Sequence, residues 1–305
     1  MRNLQVFSVL LCMGSLISIA QSRVPSSNSG PATQACSLLD GPTDQREARD
    51  DSALLAAYNV HAHLIRSLHM EAMMQVKAGK EYGLGEQLIE VPVIIDSAAP
   101  NLMRLMIVLP MLGGNGFEMA SDGREFSLLL PVQGRKVLVI GPLDEPAESQ
   151  NPLQNLRPQP LLDALNWPEA KLIPGATPQT SADSSIRKLS VTLAQTTDGP
   201  RTAQIEFDFG RGLVNSVATY DSAGQILSTV RYSDWQAAES TQGHPSVSCL
   251  PRHIELVQPT HDYEIALRVI RIALDPEIPR SYFHPSVPGG TPVIRLDQPG
   301  KVNSR

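Results

Sequence analysis

From Asp51 onward, apolar residues first recur at helical spacing and then alternate. Leu54, Tyr58, His61, Ile65 and Leu68 fall three or four positions apart, the period of one helix face. This spacing predicts a helix over 52–68, started by Asp51 or Ser52 as capping residue. From Met70 the period shortens to two. "MEAMMQVKAG", "EQLIEVPVIID", "NLMRLMIVLP", "GFEMASDG", "REFSLLLPVQG" and "RKVLVIG" have strand length and are separated by Gly, Pro, Asn or Asp. "PLLDALNWP", 160–168, then places a short helical piece between prolines, and 174–187 reads as a Pro/Thr/Ser-rich loop. A second series follows: "KLSVTLAQ", "TAQIEFDFG", "LVNSVATYD", "QILSTVRYSDW", "RHIELVQP" and "YEIALRVIRIALD". The last of these fits a helix or a strand by period alone, and its β-branched content favours a strand.

Strands that succeed one another without intervening helices form antiparallel meanders. The expected fold is therefore α+β and mainly antiparallel β: one long twisted sheet with one or two helices against it. The alternation also sorts side chains by face. On 102–109 one face carries Met103, Leu105, Ile107 and Leu109; the other carries Leu102, Arg104, Met106 and Val108, and Arg104 marks it as the wetter one. Phe126, Leu128 and Leu130 share a face in the same way, and the helix turns Leu54, Tyr58 and Ile65 inward. Of the 9 methionines, most lie in this half of the chain, including Met70, Met73, Met74, Met103, Met106, Met111 and Met119. Flexible, polarizable Met suits either an ordinary core or a wall that repacks around variable apolar guests.

Composition narrows the function classes. The 305 residues suffice for one large or two ordinary domains. A net charge of -6 with no basic tract argues against nucleic acid, and 5% aromatics argues against base- or sugar-stacking platforms. Arg2, the apolar run Leu4–Ile19 and the small residues Ser18 and Ala20 read as a signal peptide over 1–20, which implies export. Residues 21–50 are Ser-, Pro- and charge-rich and read as a flexible arm, leaving 51–300 as a single domain. In an exported chain Cys36 and Cys249 form a disulfide or stay free, and lipidation of Cys36 after Ala35 is the competing reading. Catalytic signatures are missing: there is no G-x-S-x-G, H-E-x-x-H, C-x-x-C, P-loop or dinucleotide fingerprint. "GGNG" at 113–116 reads as a loop between strands. The seven histidines are scattered; His61 and His63 point to different helix sides, and only His253 and His261 could meet across a hairpin. Neither an enzyme, nor a metal site, nor a cofactor is expected.

"PNLMRLMIVLP" followed by "SDGREFSLLLP" resembles the P-N-L and S-D-G pair of the LolA/LolB-like periplasmic lipoprotein carriers. The closing "DPEIPRSYFHPSVPGGTPVIRLD" is similar to that family's Phe, Pro-Gly and short last strand, and the likeness spans roughly 51–297. The resemblance implies an incomplete β-barrel with covering helices that receives acyl chains of a lipid or lipoprotein in a concave apolar cavity. It implies a monomer in the periplasm, attached to the outer membrane if Cys36 is lipidated, with envelope transport proteins as partners. On matching positions, Asn101 and Leu102 open a wall strand, Ser121, Asp122 and Gly123 turn into the next, and Gly289 and Gly290 precede the last strand. The ligand-binding set so expected is Leu54, Tyr58, Ile65, Met103, Leu105, Ile107, Leu109, Phe126, Leu128 and Leu130. Two departures point to an alternative, a non-transport envelope interaction or stress-sensing module on the same fold. Ala99 stands where the family's carrier keeps an arginine, and proline-rich insertions occupy 142–160 and 174–187.

Overall fold

Asp50 opens the first helix. Its carboxylate accepts from the Ala53 amide and from Ser52 Oγ, both at 2.8 Å, so the cap lies one residue before the expected one. Helix α1 then runs Asp51–Leu64, shorter than the expected 52–68. Ile65 is already extended (φ −89°, ψ 103°), and strand β1 occupies Ser67–Ala78. Leu68 fits both periods, helical with Ile65 and alternating with Met70, Ala72 and Met74. Pairing decides: Leu68 lies between Ser97 of β2 and Leu274 of β14 in two ladders. Two ladders satisfy more backbone groups than one further helical turn.

The computed structural model describes residue 36 and residues 50–78, 89–109, 114–132, 135–143, 156–181, 185–194, 201–238, 248–297 and 302–304. The expected signal segment, and the expected arm apart from Cys36 and Asp50, lie outside these, as does most of the first proline-rich insertion. Strands β2 (Ile89–Ala98), β3 (Leu102–Leu109), β4 (Gly114–Asp122), β5 (Glu125–Val132) and β6 (Arg135–Pro142) continue the first series. Helix α2, Gln159–Leu165, lies between prolines as expected. Then come β7 (Ala170–Leu172), β8 (Gln179–Thr180), β9 (Ile186–Leu193), β10 (Arg201–Asp208) and β11 (Leu213–Tyr220). The last strands are β12 (Ile226–Ala238), β13 (Ser248–Gln258), β14 (Tyr263–Leu274), β15 (Pro292–Arg295) and β16 (Val302–Ser304). Two expected loops are corrected. The 174–187 stretch contains β8 and the first residues of β9, because Gln179 and Thr180 pair with Lys188 and Arg187. Likewise Gly114 and Gly116 of "GGNG" belong to β4, which pairs with β3 through Leu109.

These strands form one sheet in the order β16-β15-β6-β5-β4-β3-β2-β1-β14-β13-β12-β11-β10-β9-β7, with β8 also on β9. Pairing is antiparallel throughout except for β15, which lies parallel to β6. The sheet is open, since among the described residues its two end strands do not pair. Laid flat, so many strands would span roughly 65 Å. Yet Leu128 on β5, Val139 on β6, Leu189 on β9 and Ile205 on β10 join one continuous core with both helices. The sheet is therefore wrapped around α1 and α2.

The outer face is covered too, at one end. Arg104 was expected to mark a wetter face but is only 7% exposed. Its Nε donates to Glu118 (2.6 Å), its Nη1 to the Tyr282 carbonyl (3.1 Å) and its Nη2 to Ser286 Oγ (3.3 Å), with the Tyr282 ring stacked on the guanidinium. The segment after β14, with a 3₁₀ turn at Arg280–Phe283, thus straps across β3 and β4. A second core of Leu129, Leu138, Ile140 and Val293 lies on this face, with Val287 against it. At the other end Cys36 and Cys249 are joined in a disulfide (Cα–Cα 5.7 Å), packed with Leu213 and Trp235.

Two stability outcomes follow from this covering. Arg104→Ala leaves Glu118 buried without its partner, and chemical denaturation is expected to show a loss of about 3–5 kcal/mol, largely recovered by the double change Arg104→Met, Glu118→Leu. The disulfide closes a loop of 213 residues, so Cys36→Ser with Cys249→Ser is expected to lower stability by about 3–5 kcal/mol in the same measurement.

Candidate functional site

The two motifs that suggested a family meet in space. Ser121 Oγ donates to the Asn101 carbonyl (2.6 Å), and Leu102 pairs with Asp122. Asp122 accepts from the amides of Arg124 (2.8 Å) and Glu125 (2.9 Å), closing a hairpin whose Gly123 takes φ +92°, a conformation few L side chains adopt. Asp122 is held below the usual carboxylate range; partial burial opposes these two amide bonds, and the amides, His284 and Arg280 prevail. The pair thus forms a structural corner that sets β3 against β4 and β5.

From that corner the expected binding set points into the wrapped core. Met103, Leu105, Phe126, Leu128 and Leu130 are buried there beside Leu54, Tyr58 and Ile65 of the helix side, and Ile107 packs half-buried against them. Ile65 reaches this position from beyond the end of α1, not from the helix itself. The Leu109 side chain lies outside the described residues. Arg157, just before α2, stacks its guanidinium 4.4 Å above the Phe126 ring and so covers that end of the core.

Polar contacts tie both helices to the sheet. Asp51 makes a two-pronged pair with Arg187 of β9 (2.6 and 2.9 Å), which raises the Arg187 pKa. Asn59 exchanges two hydrogen bonds with the backbone of Ala170, both 2.9 Å. For α2, the Ala164 carbonyl accepts from Tyr232 Oη (3.0 Å), and Asn166 accepts from Ser97 Oγ (3.0 Å).

Trp167 joins helices and sheet. Its ring lies 5.0 Å from Tyr58 in a near-parallel stack, 4.3 Å from His61, 5.4 Å from Tyr232 and 5.9 Å from Trp235. Two backbone irregularities bring sheet residues to this cluster. Asp234 takes φ 53° where the β12–β13 ladder skips the Asp234–Arg252 pair, and the next residue, Trp235, turns toward Trp167. Opposite Glu71 and Ala72, Ile270 is an extra residue in β14, and the inward series shifts from Leu267 and Val269 to Ile272 and Leu274. That bulge leaves Ile270 exposed.

A small apolar cavity of about 20 Å³ lies at this junction, between His61, Ala164, Leu165 and Trp167 on the helix side, Ile65 at the end of α1, and Leu68, Met70 and Ile272 on the sheet. Leu250, Pro251 and Ile254 of β13 complete it. Of the ten expected residues, Ile65 lines it. Helical spacing had put His61 on the buried face, but Trp167, Leu250 and Ile272 are brought in by pairings over long sequence separations. Among the described residues no group of three or more His, Cys, Asp or Glu could hold a metal, and no helix is long and apolar enough to cross a membrane.

No family model and no curated protein matches the sequence. Among solved structures, the chain is similar to a LolA superfamily protein, NE2245 from Nitrosomonas europaea, at 12% identity and a TM-score of 0.48, covering 76% of this chain and 97% of that one. It is similar to a putative outer membrane lipoprotein-sorting protein domain from Vibrio parahaemolyticus at 8% identity and a TM-score of 0.48, covering 75% and 94%. A DUF1329 family protein from Desulfovibrio piger shows 12% identity and a TM-score of 0.48, over 75% and 94%.

His61 is 3% exposed, and burial pushes its pKa down to about 4. A depressed imidazole pKa means that the unfolded chain binds the proton more readily. The neutral form's contribution is therefore complete above the free value near 6.5 and is lost as pH falls toward 4. Denaturation midpoints are expected to drop over this window by an amount equivalent to about 3 kcal/mol, and His61→Phe is expected to flatten that part of the profile.

Proposed function

We propose that this exported protein binds the acyl chains of a lipid or lipoprotein in the apolar interior of its wrapped sheet, without an enzymatic step, as in outer-membrane lipoprotein sorting. The observation that carries this reading is the seam between the helices and the sheet. A continuous Leu/Met/Ile/Phe surface lies under α1 and α2, and a small apolar cavity stands at their junction. Each acyl methylene transferred from water contributes about 0.8 kcal/mol, so a chain of ordinary length supplies free energy to offset displacement of a covering helix. At about 20 Å³ the cavity admits no acyl chain, so this structure is the closed form. Met103, Leu105, Ile107, Phe126, Leu128 and Leu130 form the wall, and Leu54, Tyr58 and Ile65 form the cover that parts from it. We place the protein in the periplasm as a monomer with residues 1–20 removed; a disulfide at Cys36 fits an oxidising compartment.

The second reading, a non-transport interaction or stress-sensing module on the same fold, is favoured by the completeness of the packing, with Phe126 and Leu128 fully buried. Lipid extraction from the purified mature chain, analysed by mass spectrometry and followed by uptake of a fluorescent acyl probe, separates the two. Bound or transferable acyl ligand is expected, and a chain that neither carries nor takes up any would overturn the carrier reading. Asn59→Ala removes both bonds to Ala170 and is expected to speed probe uptake roughly thirtyfold, as loss of about 1 kcal/mol for each of the two bonds would predict.

A further inference from the structure

Several arginines of the sheet are paired with an acid: Arg104 with Glu118, Arg187 with Asp51, Arg268 with Glu90 and Arg271 with Glu71. Arg252 of β13 makes no such pair among the described residues, and its Nε is buried with no hydrogen-bond partner. Asp234, opposite it where the β12–β13 ladder skips a pair, instead accepts from Gln236 Nε2 (3.2 and 3.3 Å). Glu255 is bonded to His253 Nε2 (3.0 Å). Across the ladder from the neighbouring Pro251 stands Trp235, whose indole Nε1 is likewise buried without a partner. Buried N–H donors are rarely left unpaired, and here two of them flank one irregularity of the ladder.

We infer that Arg252, with Trp235 as a second donor, is an oxyanion site that holds the carboxylate or phosphate head of the ligand whose acyl chain enters the wrapped sheet. This rests on the acyl-binding reading above and names the head of its ligand. The charge decides the class. A water molecule would satisfy the N–H groups but leave the guanidinium without a counter-charge, whereas an oxyanion supplies both. The Nε edge of a guanidinium, Nε with one Nη, also matches two oxygens of a carboxylate or phosphate. Arg252 is half-buried, so the site is not sealed from solvent. Its position suits a head beside a tail: Leu250, Pro251 and Ile254 of the same strand line the apolar cavity, and Arg252 lies between them in the chain.

The test compares 1-palmitoyl-glycerol 3-phosphate with 1-palmitoyl-glycerol, which differ only by the phosphate, in competition for a fluorescent acyl probe on the mature disulfide-bonded protein at pH 7.5. The phosphate lipid is expected to bind roughly ten- to a hundredfold more tightly, the effect of one charge-assisted hydrogen bond. Arg252→Gln is expected to bring the two lipids to equal affinity, and Trp235→Phe, which keeps a ring but removes the indole N–H, to reduce the preference. Equal binding of both lipids to the unaltered protein overturns the oxyanion site and leaves the acyl-binding reading standing, as does a preference that survives Arg252→Gln. If neither lipid displaces the probe, the acyl-binding reading falls, and inorganic phosphate then decides on the site alone. A denaturation midpoint raised by phosphate in the unaltered protein but not in Arg252→Gln keeps the oxyanion site, with a free anion as its occupant; equal midpoints with and without phosphate overturn it.

Discussion

An open antiparallel sheet of this length has one apolar face too large to leave in water. Wrapping that face around two short helices is the constraint on which the rest of the molecule depends. Because residues from β5 and β6 reach the same core as those from β9 and β10, the sheet curls instead of lying flat. Both helices bury residues in the shared core, and Trp167 joins them to the sheet by touching Tyr58, His61, Tyr232 and Trp235 together. The interior is thus one continuous hydrophobic core closed by the two helices.

The outer face shows the same physics at a second level. At the β3–β6 end the C-terminal strap covers apolar residues that would otherwise face solvent, and Arg104 fixes the strap by spending its donors on Glu118, Tyr282 and Ser286. Toward β1, β13 and β14 the outer face carries cross-strand ion pairs instead: Glu71 with Arg271, Glu90 with Arg268, Lys77 with Glu264. Such exposed pairs add little stability but keep a bare sheet face soluble.

Two backbone irregularities keep charged side chains out of the interior. Asp234 and Ile270 each disturb the alternation of a strand near the same junction. Undisturbed alternation would carry the inward series on from Tyr232 to residue 234 and from Val269 to residue 271, both charged. The shifts bring Trp235 against Trp167 and Ile272 into the cavity wall instead, and Asp234 and Arg271 stay outside.

By itself the sequence determined the elements and their faces. Alternation around Met103, Leu105 and Ile107 and around Phe126, Leu128 and Leu130 told which side chains turn inward, and the 3.6-residue period did the same for Leu54, Tyr58 and His61. These are local consequences of backbone geometry. What only the tertiary structure decided were the matters set by partners far away in the chain. The helix gives way to a strand before Leu68 because β2 and β14 offer it two ladders, and Arg104 is buried because a strap from about 180 residues later folds over it. The cavity between His61, Trp167 and Ile272 was not legible for the same reason. Its walls come from α1, α2, β1, β13 and β14, and no periodicity within one segment can report which segments will meet.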